Sequence, residues 1–166
     1  MPIDKPSTPV ETPNYFAEMY VAGRLAVAGW NVYFPRRDNG LDLIATKMVG
    51  DELVIRPVQV KGKYPTGDKT DKPTYGFVGK LTQTHPDMVL AIPYFVGGDC
   101  EVTCAFVAYM PFAAVKTRPR GDFRCEPARF RGGKPEQRRD HSPFFGSAGI
   151  KLMERADWRA LTLDAM

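Results

Sequence analysis

Met88 to Val96 is nine residues long and apolar at nearly every position, interrupted by Pro93. Read as a strand it is apolar on both faces, which makes it the buried strand of the chain and asks for cover on both sides of its sheet. It is less than half the length of a membrane span. The first nine residues hold no apolar stretch, so neither a signal peptide nor a membrane helix is expected. With 166 residues the chain is long enough to bury a real core and fits a single domain. A hydrophobic fraction of 43% beside 25% charged residues excludes wholesale disorder. Three cysteines in this context are expected to be reduced thiols in a cytoplasmic protein.

The rest of the chain arranges itself around that strand. Residues 1–13, with four prolines, read as an irregular arm ahead of a single domain over 14–166. Asn14 is a candidate N-cap for a helix running to about Ala28 and stopped by Gly29. Trp30–Phe34 and Leu41–Lys47 read as strands, and the Gly50-Asp51-Glu52 turn leads into a third, about Leu53–Lys63. Pro57 donates no ladder hydrogen bond, so that strand is expected to be an edge or bulged there. Residues 64–76 read as a loop and Phe77–Thr84 as a short helix. After Met88–Val96, Gly97-Gly98-Asp99 turns the chain into a strand over about Glu101–Met110, and Pro111–Val115 adds one helical turn. An amphipathic helix is expected over about Ile150–Leu163. Helix, three strands, a variable connection, two strands and a helix make an α/β arrangement with a mixed sheet.

Residues 116–147 are rich in Arg, Gly and Pro without a clear period, and read as a long basic loop. Between Arg118 and Asp140 eight basic residues face four acidic ones, so this segment carries the whole net charge of +4. A local excess of that kind points to a polyanion. Arg118, Arg120, Arg124, Arg129 and Arg131 are candidate phosphate contacts, with Phe123 and Phe130 placed to stack on bases. Arg36, Arg37 and Lys63 are further candidates to track a backbone, whereas Lys69, Lys72 and Lys80 read as ordinary surface charge.

Two strand segments hold the chemistry: Gly40-Leu41-Asp42-Leu43-Ile44 and Val58-Gln59-Val60-Lys61-Gly62. A carboxylate between two leucines is costly unless it is paired or holds a metal. Gln59 and Lys61 project from one face of their strand, with Val58 and Val60 on the other. If the strands pair through the Gly50 turn, Asp42 comes beside Gln59. A carboxylate oxygen, an amide oxygen and a strand carbonyl form a hard oxygen set suited to Mg²⁺. A neighbouring ammonium group is suited to positioning water or stabilising phosphate charge. Cys100 and Cys104, about 13 Å apart at strand rise, form no disulfide. Neither zinc-ligand spacing nor a phosphate-loop motif is present.

Ala17 to Lys63 resembles the PD-(D/E)XK nuclease superfamily, in particular its intron-associated homing endonucleases and Holliday-junction-resolvase-like members. The match covers 47 residues, and its most specific part is Val58-Gln59-Val60-Lys61-Gly62-Lys63, which begins sixteen positions after Asp42. The resemblance implies a restriction-endonuclease-like core, a central mixed β-sheet flanked by helices. It further implies Glu18 as the helix acid, Asp42, Gln59 and the Val60 carbonyl as ligands of Mg²⁺ (or Mn²⁺), and Lys61 as the catalytic lysine. No proline precedes Asp42, and Gln59 stands where an acid is commoner, which lowers the negative charge available to an ion.

The function expected is metal-dependent endonucleolytic hydrolysis of DNA, with a homodimer or higher homo-oligomer left open. The alternative is a non-catalytic DNA-binding or assembly protein that keeps the nuclease fold. A third reading is a structural module with a solvated polar strand face.

Overall fold

The computed structural model describes residues 12–37, 39–65, 77–98 and 101–165. The first helix, α1, spans Thr12–Val27. It starts before Asn14, which therefore lies in its first turn and not at its cap. Its far end is a Schellman closure: Trp30 N–H donates to the Leu25 carbonyl and Gly29 N–H to that of Ala26, each at 3.0 Å. Gly29 adopts φ 85°, which only glycine takes readily, so the stop read from the sequence is where the chain turns.

Strands β1 (Asn31–Tyr33), β2 (Leu43–Val49), β3 (Glu52–Val60), β5 (Val89–Gly98) and β6 (Glu101–Pro111) form the central sheet, in the order β1-β2-β3-β5-β6. β2 and β3 are a hairpin closed by Gly50 and Asp51, with Gly50 at φ 60° as so tight a turn requires. β3 runs parallel to β5, and the other pairs are antiparallel. The sheet is therefore mixed, as expected. Pro57 is tolerated because β3 pairs with β5 over Val58–Val60 alone; through Pro57 that side of the strand is an edge, and no bulge is needed.

β5 is buried on both faces. Val89, Ala91 and Phe95 join a cluster formed with Val21 and Leu25 of α1, Leu43, Val58 and the C-terminal residues Ile150, Met153, Trp158 and Leu161. Leu90, Ile92 and Tyr94 point the other way, into a second cluster with Cys125, Ala128, Phe130, Phe144 and Phe145. Helices thus cover one face, and the arginine-rich segment covers the other. That segment is a folded layer where the sequence suggested a long loop. β7 (Lys116–Thr117), β8 (Phe123–Arg124), β9 (Ala128–Arg131) and β10 (Lys134–Gln137) are followed by 3₁₀ turns over Arg139–Phe144. In β9 the side chains alternate, Ala128 and Phe130 buried, Arg129 and Arg131 exposed.

Two more expectations are corrected. Phe77–Gly79 is strand β4, paired with β8, in place of a helix over 77–84. The C-terminal helix, α2, covers Gly146–Leu152 and stops well short of Leu163. Arg56 of β3 explains the stop. Buried against the Trp158 ring, it donates from Nε to the Met153 carbonyl at 2.9 Å and from Nη2 to the Arg155 carbonyl at 2.8 Å. A guanidinium thereby satisfies carbonyls exposed where the helix ends. Among the described residues, no helix is long and apolar enough to cross a membrane.

Arg56→Ala leaves the buried Met153 carbonyl without its donor and is expected to destabilise the fold by about 1–3 kcal/mol, measured by urea unfolding. Asp87 is held below its ordinary 3.8 chiefly by its hydrogen bonds to Arg159, 2.9 and 2.6 Å long. A depressed carboxyl stabilises the fold above its unfolded pKa and loses that contribution as pH falls through the folded value. Thermal melts of Asp87→Asn are expected to show a smaller drop than the parent between neutral pH and pH below 3.8.

Candidate active site

The hairpin register carries Asp42 to its place. Leu43 pairs with Val58, so Asp42, one residue ahead of β2, falls beside Gln59. Its own N–H donates to the Val58 carbonyl at 3.0 Å. Its Oδ2 accepts two hydrogen bonds, from Val60 N–H at 2.6 Å and from Gln59 Nε2 at 2.8 Å. Gln59 is 5% exposed, so its amide exchanges water for this carboxylate and does not lie on a solvated face. The neighbouring Lys61 N–H donates to Ala91 of β5 at 2.9 Å. Consecutive residues of β3 thus point their backbone groups to opposite sides, and Val60 offers its N–H, with its carbonyl on the same strand edge, to the Asp42 side.

These groups open onto a cleft of about 250 Å³ lined by Asp42, Gln59, Val60 and Lys61. α1 contributes Glu18 and Asn14 to the same cleft, and Gly40, Lys80 and Thr82 complete it. Gly40 matters for its lack of a side chain: at φ 86°, any Cβ would run into Thr82 Oγ1. Glycine lets the turn before β2 lie directly against the segment after β4. All four residues proposed from sequence as catalytic or ligating side chains, Glu18, Asp42, Gln59 and Lys61, therefore line one concavity.

The lining residues carry two carboxylates (Glu18 and Asp42), the Gln59 amide and the Val60 backbone. With Nε2 bonded to Asp42, Oε1 is the Gln59 atom that could serve an ion as a ligand. This all-oxygen set fits a hard divalent cation. Among the described residues there is no cluster of three or more His, Cys, Asp or Glu of the kind that would bind a metal through side chains alone.

The proposed phosphate contacts are more scattered. Arg36 and Arg37 are exposed in the turn after β1. Lys63, two residues past Lys61, bridges to Tyr94; burial, and then the charge of Lys61, hold its ammonium below its ordinary pKa. The arginines of the basic layer are largely engaged by carboxylates: Arg118 with Asp122, Arg124 with Glu126, and Arg129 and Arg131 with Glu136. Arg120 is exposed. Among the described residues none of these lines the cleft, and the cations that do are Lys61 and Lys80. Lys80, read from sequence as surface charge, is exposed, and it also lines the cleft.

No family model matches the chain, and no curated protein matches it. Among solved structures, that of the bacterial homing endonuclease I-Ssp6803I is similar over 63% of this chain and 70% of its own, with 16% sequence identity and a TM-score of 0.38.

Gln59→Glu puts a second carboxylate beside Asp42. Like charges at that distance raise the folded pKa of the pair, and a raised carboxyl pKa costs stability as pH rises through it. The variant is expected to match the parent in acid and to fall behind it toward neutral pH in urea titrations. Equal stability at both pH values would show that the two side chains do not face each other.

Proposed function

We propose that the protein is a Mg²⁺-dependent nuclease that hydrolyses phosphodiester bonds in DNA. The observation that carries this reading is the convergence of Asp42, Gln59, the Val60 backbone and Lys61 on one cleft. The resemblance of residues 17–63 to PD-(D/E)XK nucleases supports it independently, because it rests on residue order alone.

Asp42, Gln59 Oε1 and the Val60 carbonyl would hold Mg²⁺ or Mn²⁺. When bound, the ion supplies Lewis-acid stabilisation of charge on the phosphate and an acidified water. The protein's own groups do the rest. Lys61 orients the attacking water and balances negative charge at the scissile phosphate. Glu18, contributed by α1, accepts a hydrogen bond from that water, and Lys80 anchors a neighbouring phosphate. The two hydrogen bonds to Asp42 Oδ2 fix the carboxylate before any ion arrives, so little reorganisation is left for the reaction. The neutral amide at Gln59 predicts weak affinity for a single ion.

One observation favours the non-catalytic alternative. Asp42 Oδ2 is already satisfied by Val60 and Gln59, as a purely structural carboxylate would be.

Incubation with plasmid and branched DNA separates the two. The nuclease cuts with Mg²⁺ or Mn²⁺ and stops with EDTA, and Asp42→Ala or Lys61→Ala lowers the rate by about 10²-fold or more. DNA binding without cutting, unchanged by Asp42→Ala, makes the non-catalytic reading correct. Gln59→Glu is expected to bind Mg²⁺ more tightly, measured by calorimetry; unchanged affinity would remove Gln59 from the ligand set.

A further inference from the structure

A second cavity, about 370 Å³, lies in the layer that covers the other face of β5, and it shares no lining residue with the Asp42 cleft. Its size is that of a small-ligand pocket. Three cations line it: Lys116 of β7, Arg124 of β8, and Arg138 just past β10. Glu126, mostly buried, ties down both arginines through a single oxygen, at 3.3 Å from Arg124 Nη2 and 3.7 Å from Arg138 Nη1. Each guanidinium has five N–H donors in a planar fork, so most of them stay available to a ligand. Lys116 forms no ion pair among the described residues.

His141 completes the site. Its side chain is 7% exposed, and Nδ1 lies 2.9 Å from Asp140 Oδ1. A carboxylate only accepts, so Nδ1 carries the proton and Nε2 is the remaining ring atom. Nε2 makes no hydrogen bond among the described residues and is open to solvent at the wall of the cavity. The charged groups around it are Lys116, Arg124 and Arg138 against Glu126 and Asp140, an excess of positive charge in a partly enclosed space.

We infer that this cavity is a phosphate-binding site, separate from the candidate active site. Arg124 and Arg138, preoriented by Glu126, grip phosphate oxygens through paired N–H groups, and Lys116 adds an ammonium, with His141 in the wall beside them. The phosphate is either that of a free small molecule or the terminal phosphate of a nucleic-acid strand.

Titration calorimetry with inorganic phosphate on the full chain tests the inference. The parent binds phosphate saturably. Lys116→Gln, an exposed change, weakens it several-fold, and Arg124→Gln with Arg138→Gln weakens it about ten-fold or more. Asp42→Ala leaves it unchanged, so failure of the nuclease reading does not touch this result. The source is assigned by oligonucleotides with and without a 5′-phosphate: tighter binding of the phosphorylated strand than of free phosphate assigns a strand end, and equal or weaker binding assigns a small molecule. Absence of saturable phosphate binding, affinity unchanged in the Lys116 and arginine variants, or loss of binding in Asp42→Ala overturns the inference.

Discussion

Strand β5 has no polar face, and the rest of the molecule answers that constraint. One side is closed by α1 and the C-terminal residues, the other by Cys125, Ala128, Phe130, Phe144 and Phe145 of a layer whose outward positions are arginine. Part of the basic charge follows from how this second cover is built: in β9, buried Ala128 and Phe130 alternate with exposed Arg129 and Arg131. Glu126 and Glu136 then hold the arginines in pairs, which keeps a layer of like charges together.

The same buried strand sets the candidate active site. β3 pairs with β5 at Val58–Val60 and not before, so the strand passes from an edge to an interior position over the residues that carry Gln59. Lys61 N–H is taken by Ala91 of β5, while Val60 N–H is left to face Asp42 on the opposite side. One carboxylate oxygen receives both Val60 and Gln59, and the cleft forms where the hairpin ends. Its other walls come from α1 and from the segment around Thr82, packed against Gly40.

The hairpin and its polar residues were legible because strand alternation and a Gly-Asp turn are local signals. Together they fix which residues oppose each other, and Asp42 beside Gln59 follows. What failed depended on distant contacts. Ile150, Met153, Trp158 and Leu161 have helical spacing and are all buried, yet the helix ends at Leu152 because Arg56, almost a hundred residues earlier, binds the carbonyls of Met153 and Arg155. The basic layer looked like a loop because strands of two to four residues are too short for an alternation to register. The Arg124–Arg138–His141 pocket was hidden for the same reason, since its residues meet only after the layer has folded.

The central claim is that the oxygens of Asp42, Gln59 and Val60 hold a divalent ion at a nuclease site. A crystal structure with Mn²⁺, read by its anomalous scattering, tests it most directly. The account predicts a peak in the cleft, about 2.2 Å from the Asp42 carboxylate, Gln59 Oε1 and the Val60 carbonyl. A fully loaded crystal with no peak there, or with manganese bound only elsewhere, would contradict it.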